Sequence, residues 1–136
     1  MFEILEHPSD VGVRACAPTK EQALLDLSRG LISIMVDTNA IGITEEREFR
    51  AHGGDQASQV VNWLNEILFF FDTEGFVPVD LQIHTWTERE IAGVARGGFF
   101  DPARHEFRTA VKAATYHQFE CHSTPDGWEI RAYVDV

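Results

Sequence analysis

Residues 56–71, QASQVVNWLNEILFFF, set the strongest constraint on what this chain can fold into. Ala57, Val60, Val61, Leu64, Ile67, Leu68 and Phe71 recur at three- and four-residue spacing, which gathers them along one stripe of an α-helix. Such a stripe needs an apolar surface to cover it. Asp55 stands where a side chain caps the helix start, and residues 72–75 end it. A second helical stripe, Leu24, Leu27, Leu31, Ile34 and Met35, follows Pro18, with Thr19 and Gln22 spaced as a capping box.

The rest of the chain supplies that surface as strands. FEILEH, VGVRACA, ITEEREFRAH, VDLQIHTW, EIAGVARGGFF, TYHQFECH and WEIRAYVDV are short segments rich in β-formers, separated by turn residues. Asp10 falls at a strand edge. ITEEREFRAH has the charged outer face of an edge strand. In the last segment Trp128, Ile130, Ala132 and Val134 alternate inward, while Glu129, Arg131, Tyr133 and Asp135 alternate outward. Residues 109–114 either begin a short helix or continue a strand. The expected architecture is one α+β domain over residues 1–136, two main helices packed on a largely antiparallel or mixed β-sheet.

Length and composition agree with a single core: 136 residues bury roughly two-thirds of the unfolded chain's surface, and 44% of this chain is apolar. No run approaches the roughly 18 apolar residues of a membrane span. The first ten residues, MFEILEHPSD, are acidic where an export signal is basic and lack its apolar stretch, so a cytoplasmic location is expected. Cys16 and Cys121 have no metal-binding spacing and read as buried free thiols. The net charge of −11 is spread over both halves, which disfavours direct contact with a phosphate backbone. It suits solubility first, and then a bound cation or a basic protein partner. A homo-oligomer is compatible with the sequence but not required by it.

The familiar catalytic patterns GxSxG, HExxH, GxxxxGK and GxGxxG are absent. The six histidines include no pair four residues apart. Gly97 and Gly98 fit a tight turn or bulge better than a phosphate cradle.

Three segments carry more information. HisProSerAsp at 7–10 with the following ValGly, ThrAlaValLysAlaAlaThrTyrHis at 109–117, and TyrValAspVal at 133–136 together resemble the archease family. WLNEILFFFDTE at 63–74 is similar to that family's second helix, and the likeness covers nearly the whole chain. The resemblance implies a small protein cofactor that promotes guanylylation and repeated turnover of the RtcB-type, GTP-dependent RNA ligase of tRNA splicing, and that is not itself an enzyme. It also implies a bound divalent cation. Carried across by position, the metal residues are Asp10 and Asp135, joined by the carbonyl or carboxylate of Val136, and Lys112 is the contact to partner or nucleotide. His7 and His117 belong to the same motifs and orient the metal carboxylates, core packing being the alternative.

An all-oxygen, anionic donor set suits a hard cation such as calcium better than zinc. Taken without the resemblance, Asp10 reads as a turn residue bonding its own backbone, Asp135 as an exposed strand end, and Lys112 as a side chain lying along a small-residue surface. Gly98 and Ala110 stand where the family often carries acidic residues, so two acidic contacts are missing. A metal-dependent hydrolase and a chaperone-like interaction module are the competing classes; the first lacks a recognisable base and nucleophile.

Overall fold

The computed structural model describes residues 1–6 and 10–136. The stripe at 56–71 forms helix α2, Gln56–Glu74, and the Asp55 carboxylate caps it by accepting the Ser58 N–H at 2.8 Å. The Asp55 N–H donates in turn to Ser58 Oγ, which closes a capping box with serine in the third position. Gly75 ends the helix at φ 72°, a left-handed conformation that glycine adopts without strain. Val60, Val61, Leu64, Ile67 and Leu68 are buried as the periodicity predicts, and Trp63 joins them. The Trp63 indole N–H donates to Ser28 Oγ at 3.0 Å, and that hydroxyl donates to Leu24 O at 2.7 Å, so a buried polar relay ties the two helices.

Helix α1, Lys20–Met35, buries Leu24, Leu27, Leu31 and Met35; Ile34 is half-buried. Its cap is half of the expected box. Thr19 Oγ1 accepts the Gln22 N–H at 3.1 Å, but the Gln22 amide turns along the helix to Asp26, 2.9 Å away.

Among the described residues seven strands pack around the helices: β1 (Phe2–Glu6), β2 (Asp10–Ala17), β3 (Glu45–His52), β4 (Phe76–Trp86), β5 (Glu90–Phe99), β6 (Ala113–Thr124) and β7 (Gly127–Asp135). They make two sheets where the sequence suggested one, in the orders β1-β2-β7-β6 and β3-β5-β4. Every strand pair is antiparallel. Both helices touch both sheets: α1 packs on β1, β2, β7 and β4, and α2 on β6, β3, β4 and β5. The core between them is built on Trp63, Phe49, Phe76 and the α1 leucines, with Phe49 edge-on to Trp63 at 5.6 Å.

β3 is the charged edge strand that was expected, with Arg47 bonded to Glu74 and Arg50 to Glu48 and Glu90. Three expectations are resolved or corrected. Of the turn or bulge expected at Gly97 and Gly98, the turn is absent: both lie inside β5, paired with Pro78 and Val77, and a bulge follows next to Gly97, where the β4 register shifts between Pro78 and Asp80. A side chain at Gly97 would collide with the Val77 carbonyl, which is why the strands close up there only with glycine. The cysteines are free but not both buried: Cys16 is exposed and Cys121 half-buried. Residues 109–112 form neither helix nor strand, and β6 starts at Ala113.

Because the helices cover one face of the four-stranded sheet, its other face is left for chemistry. On β2 the inner residues are Val11, Val13 and Ala15, and the outer ones Asp10, Gly12, Arg14 and Cys16.

Candidate functional site

The start of β2 and the end of β7 meet across one rung of that sheet. β2 begins with Asp10 and β7 ends with Asp135, and the antiparallel register places the two residues directly opposite each other. Ala113, the first residue of β6, is opposite Asp135 on the other side. Residues paired this way project from the same face with Cβ atoms about 4.5–5.5 Å apart, close enough for two carboxylates to share one ion. Two like charges facing each other are otherwise unfavourable. Asp10 is moreover 8% exposed, and among the described residues it is the one charged side chain that is buried.

The start of β6 is fixed to this rung by backbone bonds. Lys112 N–H donates to Asp135 O at 2.8 Å, which brings Lys112 beside the aspartate pair while its side chain stays exposed. Ala114 N–H donates to Asn65 Oδ1 of α2, also at 2.8 Å, so the helix stripe sets the height of β6. Val136 follows Asp135 directly and is 40% exposed.

Two rungs along, Tyr133 faces Gly12 on β2 and Thr115 on β6. Tyr133 was expected to point outward and does so, yet it is 7% exposed. Its ring lies over Gly12, where an added Cβ would stand 2.8 Å from Cε1, and His117 covers it edge-on with ring centroids 5.8 Å apart. Thr115 Oγ1 donates to the Tyr133 carbonyl at 3.0 Å. His117 lies within a break in the β6–β7 register, and Gln118 beside it has φ 48°. The aromatic stack therefore fixes the strand beside the aspartates. His7 lies outside the described residues.

Five of the residues singled out from sequence, Asp10, Asp135, Val136, Lys112 and His117, thus belong to one end of the β2–β7–β6 sheet. Asn65 and Tyr133 were missed as contributors. Asn65 gave no local signal, since its role depends on a contact 49 residues away; Gly12 in the middle of a strand was the available hint that an aromatic ring needed room. Gly98 is buried in β5, whereas Ala110 is exposed beside Val111.

The match to known proteins is as extensive as the motifs suggested. The model of the archease protein family (MTH1598/TM1083) matches residues 2–136. The chain belongs to the archease family. A protein archease of Methanopyrus kandleri is 34% identical over 138 residues, covering 99% of both chains, and one of Pyrococcus abyssi is 32% identical, covering 99% of this chain and 98% of its own. The solution structure of Methanobacterium thermoautotrophicum protein 1598 superposes with a TM-score of 0.81 at 27% identity, over 99% of this chain and 98% of that one. The crystal structure of a Thermotoga maritima archease, described as a possible chaperone, shares the fold at a TM-score of 0.68 and 19% identity, over 97% and 94% of the two chains. No helix among the described residues is long and apolar enough to cross a membrane.

The donor set at this end of the archease sheet fits a hard cation. It offers carboxylate and carbonyl oxygens from Asp10, Asp135 and Val136, with no sulfur in the rung. A cation placed between the carboxylates would turn their repulsion into attraction.

Proposed function

We propose that this archease is a protein cofactor of an RtcB-type RNA ligase, raising its guanylylation and turnover, and that it does so with a divalent cation, calcium first, held by Asp10, Asp135 and Val136. The observation that carries the reading is the Asp10–Asp135 rung: a buried carboxylate lies opposite a second one, like charges that a bound cation would neutralise. When bound, the ion supplies charge neutralisation and a fixed geometry where β2 starts and β7 ends. Lys112, tied to the same rung through its backbone, presents a positive charge to an acidic group or phosphate of the ligase. The chain's negative surface steers it toward a basic enzyme and away from free RNA.

The test is product formed per ligase molecule from RNA ends, GTP and manganese, with substoichiometric amounts of this protein. Stimulation several-fold above ligase alone is expected, with Lys112→Ala folded and metal-bound but much less active. Equal product with and without the protein, using the ligase of its own organism, sinks the functional reading.

One observation favours a chaperone-like second reading. Phe69, Phe99 and Phe107 are 56%, 45% and 48% exposed, aromatic surface that unfolded clients could use. Suppression of aggregation of unrelated clients at comparable doses would support it over a dedicated ligase cofactor.

A further inference from the structure

A second group of metal-ligating side chains lies lower on the same outer face, and it goes beyond the aspartate site. The register places Cys16 of β2 opposite Glu129 of β7, and Glu129 opposite His122 of β6. Three adjacent strands thus present sulfur, oxygen and nitrogen donors along one rung. Glu120, two residues before His122, projects from the same face. One ligand atom each from Glu120, His122 and Glu129 lie within 4.8 Å of one another. The imidazole stands between the two carboxylates: Nδ1 is 4.0 Å from Glu120 Oε2, and Nε2 is 4.0 Å from Glu129 Oε2. The other Glu129 oxygen, Oε1, accepts the Cys16 S–H at 3.6 Å.

We infer that this rung is a binding site for a borderline transition metal ion, zinc in the first instance, ligated by Glu120, His122 and Glu129 with Cys16 as the fourth ligand. The donor chemistry separates it from the aspartate rung: an imidazole nitrogen and a thiolate favour zinc or cobalt over calcium, which takes oxygen. The fit is geometric as well. Ligand atoms around tetrahedral zinc are about 3.3–3.8 Å apart, for metal–ligand distances of roughly 2.0–2.3 Å, so the Glu120, His122 and Glu129 atoms need to draw together only modestly from their spacing within 4.8 Å, and Cys16 joins from the neighbouring strand. Binding releases the Cys16 proton to solvent, leaving the thiolate on the ion.

Two arginines now share these carboxylates. Arg14 Nε is 3.7 Å from Glu129 Oε1, and an Arg131 terminal nitrogen is 3.3 Å from Glu120 Oε1. The guanidinium groups are competitors that the ion must displace, and they predict an effect opposite in sign to ordinary loss of contacts. Removing Arg14 should tighten metal binding. A bound ion would also tie β6 to β7 immediately beyond the register break at residues 115–120.

The experiment is a zinc titration by calorimetry of the whole chain in saturating calcium, which keeps the aspartate rung occupied if it binds that ion. One zinc is expected to bind, ten-fold or more weaker in His122→Ala and in Glu129→Gln, unchanged in Asp10→Asn, and several-fold tighter in Arg14→Gln. Cobalt(II) should give a thiolate charge-transfer band in the near ultraviolet that Cys16→Ser abolishes. His122 is an exposed side chain, so its variant should fold, which circular dichroism checks. Zinc bound equally by wild type and His122→Ala overturns the site, as does zinc lost in Asp10→Asn but kept in His122→Ala. A cobalt complex of the wild type without the thiolate band overturns the ligand set. Failure of the ligase assay would leave all these readings intact, so the two proposals fall separately.

Discussion

The pairing of β2 with β7 begins at one rung and ends at another roughly 24 Å away, and the two are built on opposite terms. At the first, Asp10 faces Asp135, a like-charge pair with one member buried. At the second, Ala17 faces Trp128, and the Lys20 ammonium lies 5.6 Å from the Trp128 ring and 4.2 Å from that of Trp86. Gln59, 2% exposed, completes this second end: its amide N–H groups donate to Gly53 O and Thr87 O, and its oxygen accepts the Trp86 indole N–H at 2.7 Å. A cleft of about 750 Å³ opens there, between Lys20, Trp86 and Arg89. The second end is satisfied internally and holds the structure together; at the first, two carboxylates face each other, a pair that the proposed cation would neutralise.

The comparison breaks most directly at Gln59. Gln59→Ala removes three hydrogen bonds and strands a Trp86 N–H and two carbonyls, so it should cost about 3 kcal/mol in urea denaturation, softened where the cleft admits water. A loss below roughly 1 kcal/mol would mean that the second end is not the stabilising one.

Next in size is the calcium effect on the first end. At a hundred-fold excess of calcium over Kd, binding should stabilise the wild type by roughly 2.7 kcal/mol, seen as a rise in melting temperature. Asp10→Asn should lose that rise. Without metal the same variant should be as stable as wild type or more so, by roughly 0.2–1 kcal/mol, because it relieves a like-charge pair. A marked loss of metal-free stability would instead make Asp10 an ordinary structural residue.

The smallest effect is acid titration of the second end. The Ser58 backbone N–H, helped by the Ser58 side chain, holds the Asp55 carboxyl below its ordinary pKa of about 3.8. A depressed carboxyl stabilises the fold above its unfolded pKa, and that contribution is lost as pH falls from about 3.8 through the lower folded value. Asp55→Ala should flatten this part of the stability curve and leave it unchanged near neutral pH apart from a constant offset. An identical acid limb in variant and wild type would remove Asp55 from the account.

Much of this contrast was legible in the sequence because local rules govern it. The helix stripes, the Asp55 cap and the outward alternation of β7 each depend on neighbours within a few residues. Asp10, Asp135 and Lys112 were singled out through motifs, and that they lie together depends on a strand register that only the fold supplies. What stayed hidden was long-range. The split into two sheets depends on where β3 and β5 pair, and Gly97 inside a strand looked like a turn because the carbonyl it accommodates is 20 residues earlier. Tyr133 was placed on the correct, outward face, but its burial was not foreseen, since its cover comes from Gly12 and His117 on other strands. The Glu120–His122–Glu129 group has no spacing signature, because its third member arrives across a hairpin.

The central claim is that the first rung holds one hard cation between two carboxylates. Calcium titration by calorimetry, of the metal-stripped wild type and of Asp10→Asn and Asp135→Asn, tests it without recourse to the ligase. The account predicts one calcium per chain in the wild type and at least ten-fold weaker binding in each variant, with both variants folded. Two folded variants that bind calcium as tightly as the wild type would contradict it.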